Sequence, residues 1–266
     1  MNWLLWITVS LYTLGLMHSS FGFYQKRHTL VKVALGMVSA GFAFHTIFLI
    51  FLISRLRYFP VTNLSESLCF LAWCITMIFL LSGVRYKLNA LGPFILPLVS
   101  SLMIFFQVLQ EKQRTLPPIL KSGWVYFHGG VAFVAYAAFF LTFIAGILYL
   151  IQEKELRSKR FRFLYFRLPS LQASDELFQR SLFTGFVAMT LTIISGSFWA
   201  RQAWGRFWAW DPKETAALAT WIIYLFLIAC RLSPRWRGKR AAYIGIIGFV
   251  AVLLTFCVNW GLHKYH

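Results

Sequence analysis

Trp124-Val-Tyr-Phe-His-Gly-Gly-Val-Ala-Phe-Val-Ala-Tyr-Ala-Ala-Phe-Phe-Leu-Thr-Phe-Ile-Ala-Gly-Ile-Leu-Tyr-Leu-Ile151 runs without one Asp, Glu, Lys or Arg. Crossing a hydrocarbon core roughly 30 Å thick takes about 20 mostly apolar helical residues. The stretch therefore predicts a membrane-spanning helix. Working outward from it, residues 2–23, 31–53, 67–84, 88–109, 181–199, 215–230 and 241–260 have the same character, the third and seventh of the eight spans being the shortest. The expected fold is all-α: a polytopic integral membrane protein of about eight transmembrane helices, with residues 1–266 forming a single membrane domain.

Composition agrees. Of 266 residues 59% are hydrophobic and 13% charged, whereas a soluble domain carries about 25% charged residues. The formal charge of +18 would suggest nucleic acid in a soluble protein. Here the basic residues sit in short loops between apolar runs, where they meet anionic lipid headgroups, so membrane lipid and no nucleic acid is the expected partner. Cys69, Cys74, Cys230 and Cys257 lie in or beside apolar runs with no Cys-x-x-Cys spacing, which excludes a zinc ribbon, a thioredoxin-like site and covalent c-type haem attachment to this chain. Residues 1–25 have neither a basic leader nor a small-residue cleavage site, and read as a retained helix.

With eight spans the loops divide into two sets. One carries 17 Lys and Arg and the other 9 of the 26, so the positive-inside rule puts both termini outside. Residues 55–64, 110–123 and 201–213 are then external, in the periplasm, the thylakoid lumen or an equivalent space. Residues 152–180, which mix charges with Phe161, Phe163, Tyr165 and Phe166, read as a cytoplasmic connector lying on the headgroups.

One external segment stands apart. Gly196-Ser-Phe-Trp-Ala-Arg-Gln-Ala-Trp-Gly-Arg-Phe-Trp-Ala-Trp-Asp-Pro-Lys-Glu-Thr215 holds Trp199, Trp204, Trp208 and Trp210 together with Phe198 and Phe207. An interfacial aromatic belt spreads its rings over many helix ends; six rings in thirteen residues suggest a flat apolar platform for a large planar ligand, with Arg201 and Arg206 placed for carboxylates. Haem fits that description. Asp211-Pro212-Lys213-Glu214 reads as a capping box that starts the next helix.

The same residues, Trp199-Ala-x-x-Ala-Trp204-Gly-x-Phe-Trp208-Ala-Trp210-Asp-Pro-Lys-Glu-Thr215, resemble the WWD signature of haem-handling membrane proteins, in the CcsA (ResC) branch of system II cytochrome c biogenesis. Pro60-Val-Thr-Asn-Leu-Ser-Glu-Ser-Leu68, Ser122-Gly-Trp-Val-Tyr-Phe-His128 with Tyr136-Ala-Ala-Phe139, Gly185-Phe186 with Thr190, and Val258-Asn259 with Leu262-His263 match the same family. The likeness runs from about His45 to the C-terminus.

His128, where an external loop enters the fifth span, and His263, just after the eighth, share the depth of the aromatic platform, as two axial haem ligands require; the resemblance implies the same roles. His45 lies mid-span, where an ionisable group is costly, either as a helix-to-helix hydrogen bond or, as the resemblance implies, as the first of two intramembrane haem ligands. The family places the second near the end of the seventh span, where this chain has Ala229 followed by Cys230. Three alternatives follow: Cys230 or another group replaces it, His45 binds alone, or there is no stable inner site. Glu66 reads equally as a haem-pathway group and as part of a helix start, while His18, His28 and His266 are not site residues.

The resemblance implies a haem-binding and haem-delivering subunit of a cytochrome c synthase, with haem b as cofactor, acting with a CcsB/ResB-type membrane partner on apocytochrome c whose Cys-x-x-Cys-His is kept reduced by a thioredoxin-like pathway. The chain would sit in a bacterial inner membrane, or alternatively a thylakoid membrane, with the tryptophan segment external. No residue pair reads as nucleophile and base, so orientation is the expected means of catalysis and Asp211 structures the loop. A haem transporter or chaperone without ligation activity is the alternative; a channel is weaker.

Overall fold

A segment in lipid must satisfy its backbone hydrogen bonds internally, which leaves helices as the default element. The computed structural model describes residues 2–83, 90–109, 123–159 and 163–261, and these form eight α-helices, one 3-10 turn and no strand. The helices are α1 (Asn2–Gln25), α2 (His28–Leu56), α3 (Leu64–Gly83), α4 (Gly92–Val108), α5 (Gly123–Ser158), α6 (Leu171–Trp204), α7 (Pro212–Leu232) and α8 (Lys239–Gly261). Seven are long and apolar enough to cross a bilayer, and α4 is a shorter apolar helix of 17 residues, at the lower limit for a span. The protein is an integral membrane protein.

Helix ends follow local chemistry. Lys26, Arg57 and Lys159, directly after α1, α2 and α5, have φ of 56°, 59° and 50°, the left-handed geometry of a helix C-cap. Each also brings a positive charge to the negative end of a helix dipole. At the start of α3, the Asn63 side chain accepts a hydrogen bond from the Glu66 N–H at 2.7 Å. Glu66 in turn accepts from Tyr58 Oη, Thr62 N and Thr62 Oγ1. Its carboxylate is thus occupied in holding the turn before α3, the helix-start role. Burial and the Glu66 carboxylate push the Tyr58 phenol up.

The connector expected over 152–180 is much shorter. Helix α5 continues to Ser158 and α6 begins at Leu171, because Glu153, Lys154, Glu155 and Arg157 are good helix formers that simply lengthen α5 beyond its apolar run. The remaining turn is pinned by Arg167, which donates to the Phe23 carbonyl at 2.7 Å and to that of Tyr24 while lying over the Phe163 ring at 3.6 Å. Arg167 thereby satisfies carbonyls at the end of α1 that have no partner in their own helix.

The described residues fall into two units: 2–83, 90–109, 154–159 and 163–173 in the first, and 123–153 with 174–261 in the second. In the first, α1 and α2 approach closely through glycine; a β-carbon on Gly15 would lie 2.7 Å from Val38 Cγ2, and small residues let helices pack at short range where no hydrophobic effect drives them together.

In the second unit Phe139 of α5 stacks on Tyr224 of α7 with centroids 3.6 Å apart. Trp221 donates its indole N–H to Thr190 Oγ1 at 2.8 Å and stacks on Phe186, so Phe186 and Thr190 serve α6–α7 packing, while Gly185 makes room for the Phe139 ring of α5. Arg231 forms a two-pronged ion pair with Asp175, both contacts at 2.9 Å, and lies over Phe178 at 5.2 Å. This pair joins α6 to α7 and had no signal in the linear sequence.

Candidate functional site

The second unit brings the first turns of α5, the last turns of α6 and the start of α7 together. His128, on α5, directs Nδ1 at the Thr192 carbonyl of α6 at 2.9 Å. A carbonyl only accepts, so Nδ1 carries the proton and Nε2 the lone pair. Among the described residues Nε2 has no hydrogen-bond partner. The ring packs on Gly196, where a β-carbon would stand 2.9 Å from Cε1 and 3.0 Å from Nδ1. Only glycine leaves that space.

Thr192, Gly196 and Trp199 succeed one another at helical spacing on α6, so Trp199 follows on the stripe that receives His128. Trp124, one turn before His128 on α5, stacks on Phe198 with centroids 5.6 Å apart. Lys213, in the first turn of α7, is near enough for its charge to act on the His128 ring. Gly196, Thr192, Trp124 and Lys213 were not singled out from sequence as site residues, although all but Thr192 lie inside stretches already notable there.

The tryptophan segment is half helix. Residues 196–204 complete α6, and the loop proper runs only from Gly205 to Asp211, because Gly205 takes φ 73° and ends α6 as a C-terminal glycine does. The exit is capped as expected: Asp211 accepts from Glu214 N at 2.7 Å, with Pro212 at the first helical position. Glu214 reaches further back than a capping box requires, accepting from Ala209 N at 2.7 Å. Between these contacts Trp210 is held at φ 58°, a conformation rare for a bulky residue.

The aromatic residues pair edge-on. Trp199 meets Trp204 at 4.9 Å and Trp208 meets Trp210 at 5.8 Å, with Trp204 and Trp210 exposed. Arg201 lies over the Phe207 ring at 4.6 Å, and Arg206 is exposed. Trp199 Nε1 and Trp208 Nε1 are buried with no hydrogen-bond partner among the described residues. One turn further into α5 and α6 from the His128–Thr192 bond, Val131, Val134, Phe183, Val187 and Leu191 line an open apolar groove of about 510 Å³.

His45 belongs to the first unit and is fully buried. Its Nδ1 meets Tyr12 Oη at 3.2 Å and its Nε2 meets Cys69 Sγ at 3.3 Å, tying α2 to α1 and α3. Both nitrogens are therefore engaged, and a metal at Nε2 would displace Cys69, not Cys230. His263 lies outside the described residues. No cluster of three or more His, Cys, Asp or Glu able to hold a bare metal ion occurs among the described residues. The donor set at His128 does fit haem iron: a ligating histidine usually donates its other ring N–H to a carbonyl or carboxylate, which holds its orientation, as Thr192 does here, and flat rings stand beside it.

Comparison with known proteins gives the family. Residues 61–263 match the family described as cytochrome c assembly protein. The cytochrome c biogenesis protein CcsA of Guillardia theta is 36% identical over 234 residues, 78% of this chain and 77% of that protein. The CcsA of Chlamydomonas reinhardtii is 35% identical, covering 78% of this chain and 61% of that protein, and the CcsA of Synechococcus sp. (strain CC9605) is 33% identical, covering 78% of each. In structure, the cytochrome c haem lyase CcmF aligns over 98% of this chain and 46% of its own length, with a TM-score of 0.72 at 16% identity, a likeness of fold alone. The chain belongs to the cytochrome c assembly protein family, on its CcsA branch.

Proposed function

We propose that this protein acts in cytochrome c maturation by holding haem at a site on the external face of the membrane, with His128 Nε2 as one axial ligand, for attachment to apocytochrome c. The observation that carries this is the commitment of His128 Nδ1 to the Thr192 carbonyl, which leaves Nε2 as the one nitrogen able to bind iron. His263 is the proposed ligand on the opposite face. Two histidines keep the iron six-coordinate until handover.

Haem b is the cargo and substrate here; it supplies the iron and the vinyl groups. An S–H of the apocytochrome Cys-x-x-Cys-His adds across each vinyl C=C, the sulfur to one carbon and the hydrogen to the other, with no net electron transfer. This chain's residues position. Trp124 and Phe198, with Trp204, Trp208 and Trp210, offer ring faces and edges, and the Asp211–Glu214 cap fixes the loop that carries Trp208 and Trp210. A CcsB/ResB-type membrane partner completes the synthase, and the apocytochrome thiols arrive reduced by a thioredoxin-like pathway. The membrane is a bacterial inner membrane or a thylakoid membrane, with both chain termini and the tryptophan segment on the external side.

The test is the oxidised and reduced visible spectrum of the protein purified from membranes. Sharp low-spin bands that His128→Ala abolishes, and that added imidazole restores, support the site. Unchanged bands in His128→Ala overturn it. Haem retained normally by a chain that never supports thioether formation with its partner would identify a haem carrier instead.

A further inference from the structure

Two indole N–H groups packed between helices find hydroxyl acceptors. Trp73 donates to Thr46 Oγ1 at 2.9 Å and Trp221 to Thr190 Oγ1 at 2.8 Å. Trp199 Nε1 and Trp208 Nε1 are the buried indole nitrogens without a partner among the described residues, and both belong to the tryptophan segment. An indole N–H can only donate, and leaving one buried and unpaired costs about 1–3 kcal/mol. The segment's own carboxylates are turned to backbone groups, Asp211 accepting from Glu214 N and Glu214 from Ala209 N.

The two donors recur in one pattern: each belongs to a buried edge of an indole that meets an exposed tryptophan edge-on, at 71° for Trp199–Trp204 and 82° for Trp208–Trp210. Trp199 also continues the α6 stripe of Thr192 and Gly196 that receives His128. The arginines that would ordinarily take carboxylates are both exposed, and Arg201 is turned onto Phe207.

We propose that Trp199 and Trp208 donate their indole N–H groups to the carboxylates of the bound ligand, so that the tryptophan segment selects a planar metallomacrocycle bearing free acid groups on one edge. The proposal rests on the haem reading of His128. A carboxylate is the acceptor of choice, since a hydrogen bond to an ionised oxygen is roughly twice as strong as a neutral one, and two donors suit a ligand with two acid groups.

The test is absorbance titration of the purified full-length protein with iron protoporphyrin IX and, separately, with its dimethyl ester. The wild type should bind the free acid about tenfold more tightly. Trp199→Phe/Trp208→Phe, which keeps the rings and removes both N–H groups, should bind the two forms alike with the same iron spectrum, while Trp221→Phe, which loses a paired N–H, should keep the preference. Equal wild-type affinity for acid and ester, with a spectrum that still depends on His128, overturns the carboxylate assignment and leaves the haem site standing. A preference that survives in the double variant overturns it likewise. A spectrum indifferent to His128→Ala overturns the haem site itself.

Discussion

The imidazole of His128 lies against the α-carbon of Gly196 so closely that a β-carbon there would come within 2.9 Å of ring atom Cε1. Helix propensity alone favours alanine over glycine by about 1 kcal/mol in a helix interior. At Gly196 the steric conflict outweighs that gain, because the ring is also held by Thr192.

Gly196→Ala should therefore fold, lose the Nδ1–Thr192 bond and lower haem retention several-fold. Gly36→Ala, where a β-carbon meets nothing within 4 Å, is the matched control and should leave haem content unchanged or the protein slightly more stable. Equal haem content in both variants, measured by pyridine haemochrome, would show that Gly196 does not set the ring.

The cap at α7 makes a second prediction. Asp211→Ala removes the acceptor for Glu214 N and should cost about 1 kcal/mol, with the loss felt in the loop that Trp208 and Trp210 share. Asp211→Asn keeps a side-chain oxygen at the cap and should retain thermal stability and haem. If Asn fails as badly as Ala, the carboxylate charge matters beyond the cap.

The Arg231–Asp175 pair supports a third. Breaking a fully buried ion pair costs about 3–5 kcal/mol because a charge is left unpaired, but the Asp175 side chain is 34% exposed against 9% for Arg231, so solvent screening reduces this to about 2 kcal/mol. Arg231→Ala should lower the midpoint of thermal unfolding in detergent, and Arg231→Lys should recover only part, since lysine cannot make both prongs. Asp175→Leu/Arg231→Leu should lie near the wild type; a double variant as unstable as Arg231→Ala would contradict the pairing.

His45 gives the fourth. With Tyr12 and Cys69 on its two nitrogens, His45→Ala leaves a cavity and takes one hydrogen-bond partner from each of them, and should destabilise the first unit by about 2–4 kcal/mol. Haem bound through His128 should be unaffected once the protein is folded. Loss of part of the haem signal at unchanged stability would place His45 in the haem path, with Cys69 as the group displaced.

Much of the site was legible in the linear chain because its signals are local. A proline at the first helical position after an aspartate and before a glutamate specifies a helix start by chemistry within four residues, and the structure shows Asp211 at that cap. Trp199, Trp204, Trp208 and Trp210 announce themselves by density. The length of α5 was underestimated for the opposite reason: its last turns are charged, and a search for apolar runs stops where the bilayer would, not where the helix does.

The sequence by itself determined that this is a helical membrane protein, where its helices begin and end to within a turn or two except at the end of α5 and the start of α6, and which segment concentrates the tryptophans, since hydropathy, caps and composition act over neighbouring residues. Only the tertiary structure decided which nitrogen of His128 is left for a ligand, because the Thr192 carbonyl that sets the tautomer lies 64 residues away. It alone also decided which tryptophans are left with unpaired donors and that Arg231 meets Asp175. In a bilayer both the lipid-facing and the protein-facing sides of a helix are apolar, so periodicity does not mark the buried face, and contacts between helices emerge only when the helices are packed.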